Sequence, residues 1–269
     1  MRIKLFLLIF YFSILAAPIW AQTNTLKTIK RKRKAPPITQ EFSMGARLNT
    51  DGWSAFAERG FINQYKNKTQ FVWFEISEKN HPKEVKQLNE IFGTLNPNQP
   101  APLPFKYGKI NNFYQMKAGY GQKKVLTGRL DKKSIIVSWV YGGGLSIGFQ
   151  KPYHLDILVP EGNNVFTRQV VDYYDMDTRA FFNNENLIVG GTYFTEGIGN
   201  LSIVPGVLAK SGFYFDYAPN RKSLLGIEIG TSLELYPRDI PLMANTDNNF
   251  YFFNFYLDVR FGKRWSVDN

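Results

Sequence analysis

The stretch N-F-Y-F-F-N-F-Y-L-D-V-R-F-G-K, residues 249–263, places an apolar residue at every odd position from Tyr251 to Phe261. Side chains alternate across a β-strand, so Tyr251, Phe253, Phe255, Leu257, Val259 and Phe261 share one face, and Asn254, Asp258, Arg260 and Gly262 share the other. A long dyad repeat with one wholly apolar face is the pattern of a membrane-crossing β-strand. The rest of the chain is read outward from this segment.

Seven further segments carry the same alternation: 41–49, 53–61, 69–77, 110–120, 134–149, 207–217 and 225–235. In 225–235, Leu225, Ile227, Ile229, Thr231, Leu233 and Leu235 oppose Gly226, Glu228, Gly230, Ser232 and Glu234. Most of these runs have nine or more residues, the length a tilted strand needs to cross hydrocarbon, whereas soluble strands average about 5 to 6. Asp51-Gly52 supplies a hairpin turn between the first two. The expected fold is all-β, an eight-stranded antiparallel transmembrane β-barrel with a basic periplasmic N-terminal arm and two long outer loops.

At the other end of the chain, Arg2 and Lys4 precede an apolar run at 5–15 and small residues up to Ala21. That is the layout of an export signal cleaved after Ala21, because eleven apolar residues fall short of the roughly 20 a spanning helix needs. The chain has no cysteine, which excludes a lipid-modified cysteine anchor, disulfides and sulfur-ligated metals. The expected division is a signal at 1–21, a disordered arm at 22–40, a barrel at 41–265 and a tail at 266–269. The location is the outer membrane, with both termini periplasmic. The links between segments three and four and between five and six, roughly 30 and 55 residues, then face outward.

The formal net charge is +11. An exported chain meets anionic lipid rather than nucleic acid, so outer-membrane lipid, including lipopolysaccharide, is the expected counter-charge. Lys30, Arg31, Lys32, Arg33 and Lys34 concentrate this charge in the arm, for contact with lipid phosphate or an acidic periplasmic partner.

Four segments resemble a known family: G-A-R-L-N-T-D-G-W (45–53), Y-G-K-I-N-N-F-Y-Q-M-K-A-G-Y-G (107–121), Y-G-G-G-L-S-I-G (141–148) and V-R-F-G-K-R-W (259–265). They look like the small outer-membrane β-barrel proteins of Bacteroidota, the PorT-like group, over about residues 41–265. The resemblance implies a barrel, and in one branch a part in protein secretion across the outer membrane. It offers no catalytic signature to carry over.

The polar faces gather Arg47, Lys117, Lys210 and Arg260 with Glu58, Glu75, Asp216, Glu228, Glu234 and Asp258. Eight strands enclose room for side chains and little else, so these ten are expected to pair inside the lumen as a plug. His81 and His154 are the only histidines. His81 opens N-H-P-K-E-V-K-Q-L-N-E-I-F, which reads as a short amphipathic helix with Pro82 in its first turn. His154, two residues from Asp156, is the one candidate for catalysis, in a lipid A-modifying acyltransferase or deacylase.

No ligand spacing for a metal and no cofactor motif is present; Asp172, Asp175 and Asp177 miss the calcium-loop pattern. Residues 150–205 read as a solvated loop, long enough that recognition of a partner is expected there. The function so read is non-enzymatic: envelope structure, assembly or secretion through an envelope protein partner.

Overall fold

The computed structural model describes residues 37–266 except 64–66, 90–101, 128–134, 161–165, 177–178, 180–183, 219, 221 and 245. The expected signal, and the arm cations Lys30 to Lys34, lie outside the described residues. The strands are β1 (Gln40–Asn49), β2 (Gly52–Asn63), β3 (Lys68–Lys79), β4 (Lys86–Gln87), β5 (Phe105–Lys106), β6 (Asn111–Val125) and β7 (Ile136–Pro152), followed by β8 (His154–Pro160), β9 (Phe166–Asp172), β10 (Ile188–Gly191), β11 (Ser202–Asp216), β12 (Ser223–Leu235) and β13 (Tyr251–Trp265).

Eight of these close an antiparallel barrel in the order β1-β13-β12-β11-β7-β6-β3-β2. The first and last wall strands seal it, in a register running from Gln40 opposite Trp265 to Asn49 opposite Tyr256. Closure removes both sheet edges and pairs the backbone polar groups around the ring. At the β1–β2 turn the chain passes so close to β3 that a β-carbon on Gly52 would lie 2.0 Å from the Glu78 carbonyl oxygen. Its φ of +152° also disfavours any other residue.

The period-two code is kept along every wall strand, and its apolar face is outside. Ile229, Phe255 and Leu145 are exposed, while their polar neighbours Glu228, Asn254 and Ser146 are buried. Exterior charges are confined to the strand ends. Arg59, Lys68, Lys124 and Lys263 sit toward the end that holds Gln40 and Trp265, and Glu78 and Lys151 toward the opposite one. Amphipathic rings mark both levels, Trp53, Tyr114 and Tyr251 at one and Trp139, Tyr217 and Trp265 at the other.

Several wall strands run past the limits expected from sequence: β3 reaches Lys79, β6 Val125, β7 Pro152, and β11 begins at Ser202. The apolar alternation fades where outward residues become polar, but the backbone ladder continues.

The described residues of loops 80–110, 153–201 and 236–250 gather at the end of Glu78 and Lys151 and form a cap. It holds a three-stranded sheet, β10-β8-β9, and a two-stranded one, β4-β5, linked by a bridge between Leu103 and Gly191. Phe105, Leu155, Ile157, Val171 and Ile188 make its apolar core. Residues 150–205 are therefore not the plain solvated loop expected. Short apolar pieces far apart in sequence meet here and bury one another.

Among the described residues 81–89, the helix expected after His81 does not form. Residues 82–83 turn and Lys86–Gln87 is extended, because Glu84 is drawn to Lys106 at 2.5 Å and Lys109 at 2.6 Å rather than placed on a helix surface.

Candidate functional site

The lumen is filled by one connected series of ion pairs running from end to end. From the end of the termini it begins with Asp216–Arg264 (2.7 Å), Arg264–Glu41 (3.0 Å), Glu41–Lys123 (2.9 Å) and Lys123–Glu58. Glu58 passes to Arg260 (3.1 Å), which also holds Glu228 (2.5 Å) and Asp258 (2.9 Å). Asp258 then binds Arg47 (2.9 Å), Arg47 binds Glu75 (2.9 Å), and Glu75 binds Lys117 (3.3 Å). Lys117–Glu234 (2.7 Å), Glu234–Lys79 (3.2 Å) and Lys79–Asp51 (2.7 Å) complete it under the cap.

Cross-strand register sets only some of these contacts. Arg47 lies opposite Asp258 and Glu75 opposite Lys117 on paired strands, whereas Glu58 with Lys123 and Arg260, and Glu234 with Lys117 and Lys79, reach across the lumen between strands that are not neighbours.

All ten lumen residues named from sequence are buried. Nine sit in this series. The tenth, Lys210, lies over the Trp73 ring at 4.1 Å and the Phe71 ring at 5.3 Å. Glu41, Lys79, Lys123, Arg264 and Asp51 were not singled out in the sequence. Lys79, Lys123 and Arg264 lie beyond the runs of clean alternation, where only the longer strands bring them inside, whereas Glu41 opens the first run and Asp51 sits in the turn after it.

Aromatic rings fill the remaining space. Arg47 stacks on Tyr256 at 4.1 Å, and Arg260 lies against Phe56 and Tyr214. The Trp73 and Phe71 rings lie so flat on the wall that a β-carbon on Gly119 or Gly121 would come within 2.5 or 2.6 Å of them. Toward the cap, Phe113, Val204, Tyr236, Ile240, Leu242 and Met243 form an apolar stopper across the mouth.

Above the stopper the cap has its own charged group. Lys106 and Lys109 share the Glu84 carboxylate. Burial alone would raise the Glu84 carboxyl, but Lys109, the His81 backbone N–H and Lys106 outweigh it and hold the group below its usual range. Burial pushes Lys109 down to about 8 against the opposing pull of Glu84. A cleft of about 280 Å³ opens beside this group, lined by Asp51, Asn80, His81, Asn248 and Phe252 among others.

His154 and Asp156 do not form a pair. Two apart on β8, they are separated by about 7 Å of strand repeat. Asp156 takes Arg168 at 2.5 Å, while His154 Nε2 lies 3.6 Å from Asp172 and its Nδ1 3.2 Å from the Pro152 carbonyl oxygen. Asp172 in turn accepts the backbone N–H groups of Tyr174 and Asp175, which fixes the turn after β9. Asp177 lies outside the described residues.

No family model matches the chain, and no curated protein matches it. Similar solved structures include Ail, the attachment invasion locus protein of Yersinia pestis, at 8% identity over 85% of this chain and 99% of that one, with a TM-score of 0.36. A major outer membrane protein from Thermus thermophilus gives 8% identity, 84% and 98% coverage and a TM-score of 0.36. Neisserial surface protein A gives 9% identity, 85% and 96% coverage and a TM-score of 0.32. The ring itself is fixed by the strand pairings described above.

Proposed function

We propose that this chain is an outer-membrane β-barrel with a sealed lumen, whose work is done by its cap through a protein partner in envelope structure, assembly or secretion. One observation carries the reading. The barrel wall is free of charge outside except at its strand ends, while a continuous ion-pair series occupies its inside. Such an exterior suits hydrocarbon, where an uncompensated charge at the midplane costs about 2–4 kcal/mol. The filled interior supports a barrel that conducts nothing large. With the wall committed to lipid and the lumen to its own packing, the cap is the part that offers surface to others. The resemblance to PorT-like proteins supports secretion within this choice, and the basic arm at Lys30 to Lys34 supports contact with lipid phosphate or an acidic partner on the periplasmic side.

Expression of the full chain followed by membrane fractionation tests the reading. The protein should separate with the outer membrane and migrate faster on a gel unheated than boiled. In planar bilayers it should give no steady large conductance. Recovery as a soluble periplasmic protein would overturn the membrane reading, and steady porin-sized currents would overturn the sealed lumen.

A further inference from the structure

Between β10 and β11 the chain passes from the cap to the outer face of the wall at its cap end. Its hold on the cap is local. Thr192 Oγ1 donates to the His154 carbonyl oxygen at 3.2 Å, and Gly197, at a φ of +78°, packs so close to the His154 ring that a β-carbon there would lie 2.6 Å from it. Below this hold, Phe194 meets Tyr114 edge-on at 6.0 Å, and Lys151 Nζ lies 4.8 Å from the same Phe194 ring. Tyr114 and Lys151 are outward-facing residues at the cap ends of β6 and β7. In register, Tyr114, Phe149 and Ile203 form one row across β6, β7 and β11.

The segment's apolar side chains do not turn into the cap core, which Phe105, Leu155, Ile157, Val171 and Ile188 already fill. Tyr193 is 73% exposed and Phe194 65%, and Ile198, Leu201 and Ile203 are exposed with them. Beside Tyr114 the wall also carries a groove of about 250 Å³ lined by Trp53, Ile76, Tyr114, Met116 and Phe149, with Glu78 at its edge accepting the Trp53 indole N–H at 3.0 Å.

We propose that residues 193–203 and this groove together form a lipid site, in which the segment seats in the outer leaflet at the headgroup boundary and an acyl chain lies in the groove. The occupant follows from continuity, since the exposed side chains and the groove extend the same exterior face that the wall presents to hydrocarbon. Tyr and Phe at that level suit a boundary where one side is wet and the other apolar. Lys151, the exterior cation here, is buried beneath Phe194, and the charges left at this level are the carboxylates of Glu196, exposed in the segment, and of Glu78, held by Trp53. This inference rests on the membrane reading above.

The lack of cysteine makes the test direct, because a single introduced thiol can be labelled without competition. Ile198→Cys, Ile229→Cys and Met176→Cys, each carrying an environment-sensitive fluorophore, are folded into phosphatidylcholine vesicles with and without brominated acyl chains. Heat-modifiable migration confirms folding of each. The label at 229, on the wall, and the label at 198 should both lose most of their emission to bromine, while the label at 176 keeps its own. Adding Phe194→Asp should lift the segment and restore emission at 198 alone.

If 198 behaves like 176 while 229 is quenched, the lipid site is wrong and the barrel reading stands. If 229 is also untouched, the membrane reading fails. Shielding at 198 that ignores bromine and disappears on dilution of protein in lipid would assign the surface to a second copy of the chain, which also overturns the proposal.

Discussion

The wall and the cap obey opposite rules for placing apolar side chains, and the change of rule can be located within a few residues. From Gly142 to Gln150 on β7, the residues pointing inward are polar or small, Gly142, Gly144, Ser146, Gly148 and Gln150, and Leu145 and Ile147 point outward. From Leu155 onward the apolar residues Leu155 and Ile157 are fully buried. The wall is ordered as lipid demands and the cap as water demands. On the membrane reading proposed above, the inversion at Pro152 to His154 marks the level at which hydrocarbon gives way to water.

The contrast can be broken most severely in the lumen. Arg260 holds Glu58, Glu228 and Asp258 together, so Arg260→Ala should cost about 3–5 kcal/mol by leaving three buried carboxylates without their shared cation. Glu228→Gln should cost less, because Arg260 keeps two other partners. Both are read from urea unfolding in lipid vesicles, and equal stability of Arg260→Ala and the parent would refute the shared-cation account.

Next comes the exterior. Ile229→Arg should cost about 2–4 kcal/mol if the position lies near the midplane, seen as a reduced yield of the fast-migrating unheated form. A yield equal to that of the parent would place Ile229 away from acyl chains.

A smaller effect belongs to the cap core. Ile157→Val should cost about 0.5–1.5 kcal/mol and act locally, speeding amide exchange in β8 and β9 while wall strands exchange as before. Faster exchange throughout the wall would mean that cap and barrel unfold as one unit.

The gentlest perturbation is pH, read at the Glu84 group of the cap. Glu84 titrates below its ordinary value of 4.5 in the folded state, so the stability it contributes is present above that value and is lost as pH falls through its own lower pKa. Lys109 works the other way. At about 8 instead of 10.5, it gives up its proton in the folded cap first, so the unfolded chain binds more protons between those values and cap stability rises with pH there. Proteolysis of the loop against pH reads both limbs, and Glu84→Gln should flatten the acid one.

The wall was legible in the sequence because each strand writes its facing locally. Phe253, Phe255 and Leu257 on one side and Asn254, Tyr256 and Asp258 on the other need no knowledge of their neighbours. Strand ends were less legible. Lys79 and Lys123 lie beyond the runs of clean alternation, where outward residues such as Glu78 and Lys124 are themselves polar, so no period distinguishes lumen from water. The cap was legible least. Phe105, Leu155 and Ile188 become a core only when three separate stretches meet, and the apparent helix at His81 yields to Lys106 and Lys109 arriving from more than twenty residues away.

The ion-pair series also bears on the order in which the chain can be built into a membrane. Its links join distant parts of the sequence: Arg47 to Asp258 across 211 positions, Glu58 to Arg260 across 202, and Glu41 to Arg264 across 223. A hairpin of β1 and β2 alone would carry Glu41, Arg47 and Glu58 into hydrocarbon without the cations and carboxylates of β13. Ionisable groups in that state are strongly disfavoured, as are the open strand edges that would accompany them. On the membrane reading, entry of β1 and β2 by themselves is therefore disfavoured. Arg260 and Arg264 of β13, with Lys123 of β6, supply the cations for Glu58 and Glu41, so on that reading the amino-terminal strands become compatible with lipid only in the company of strands far along the chain.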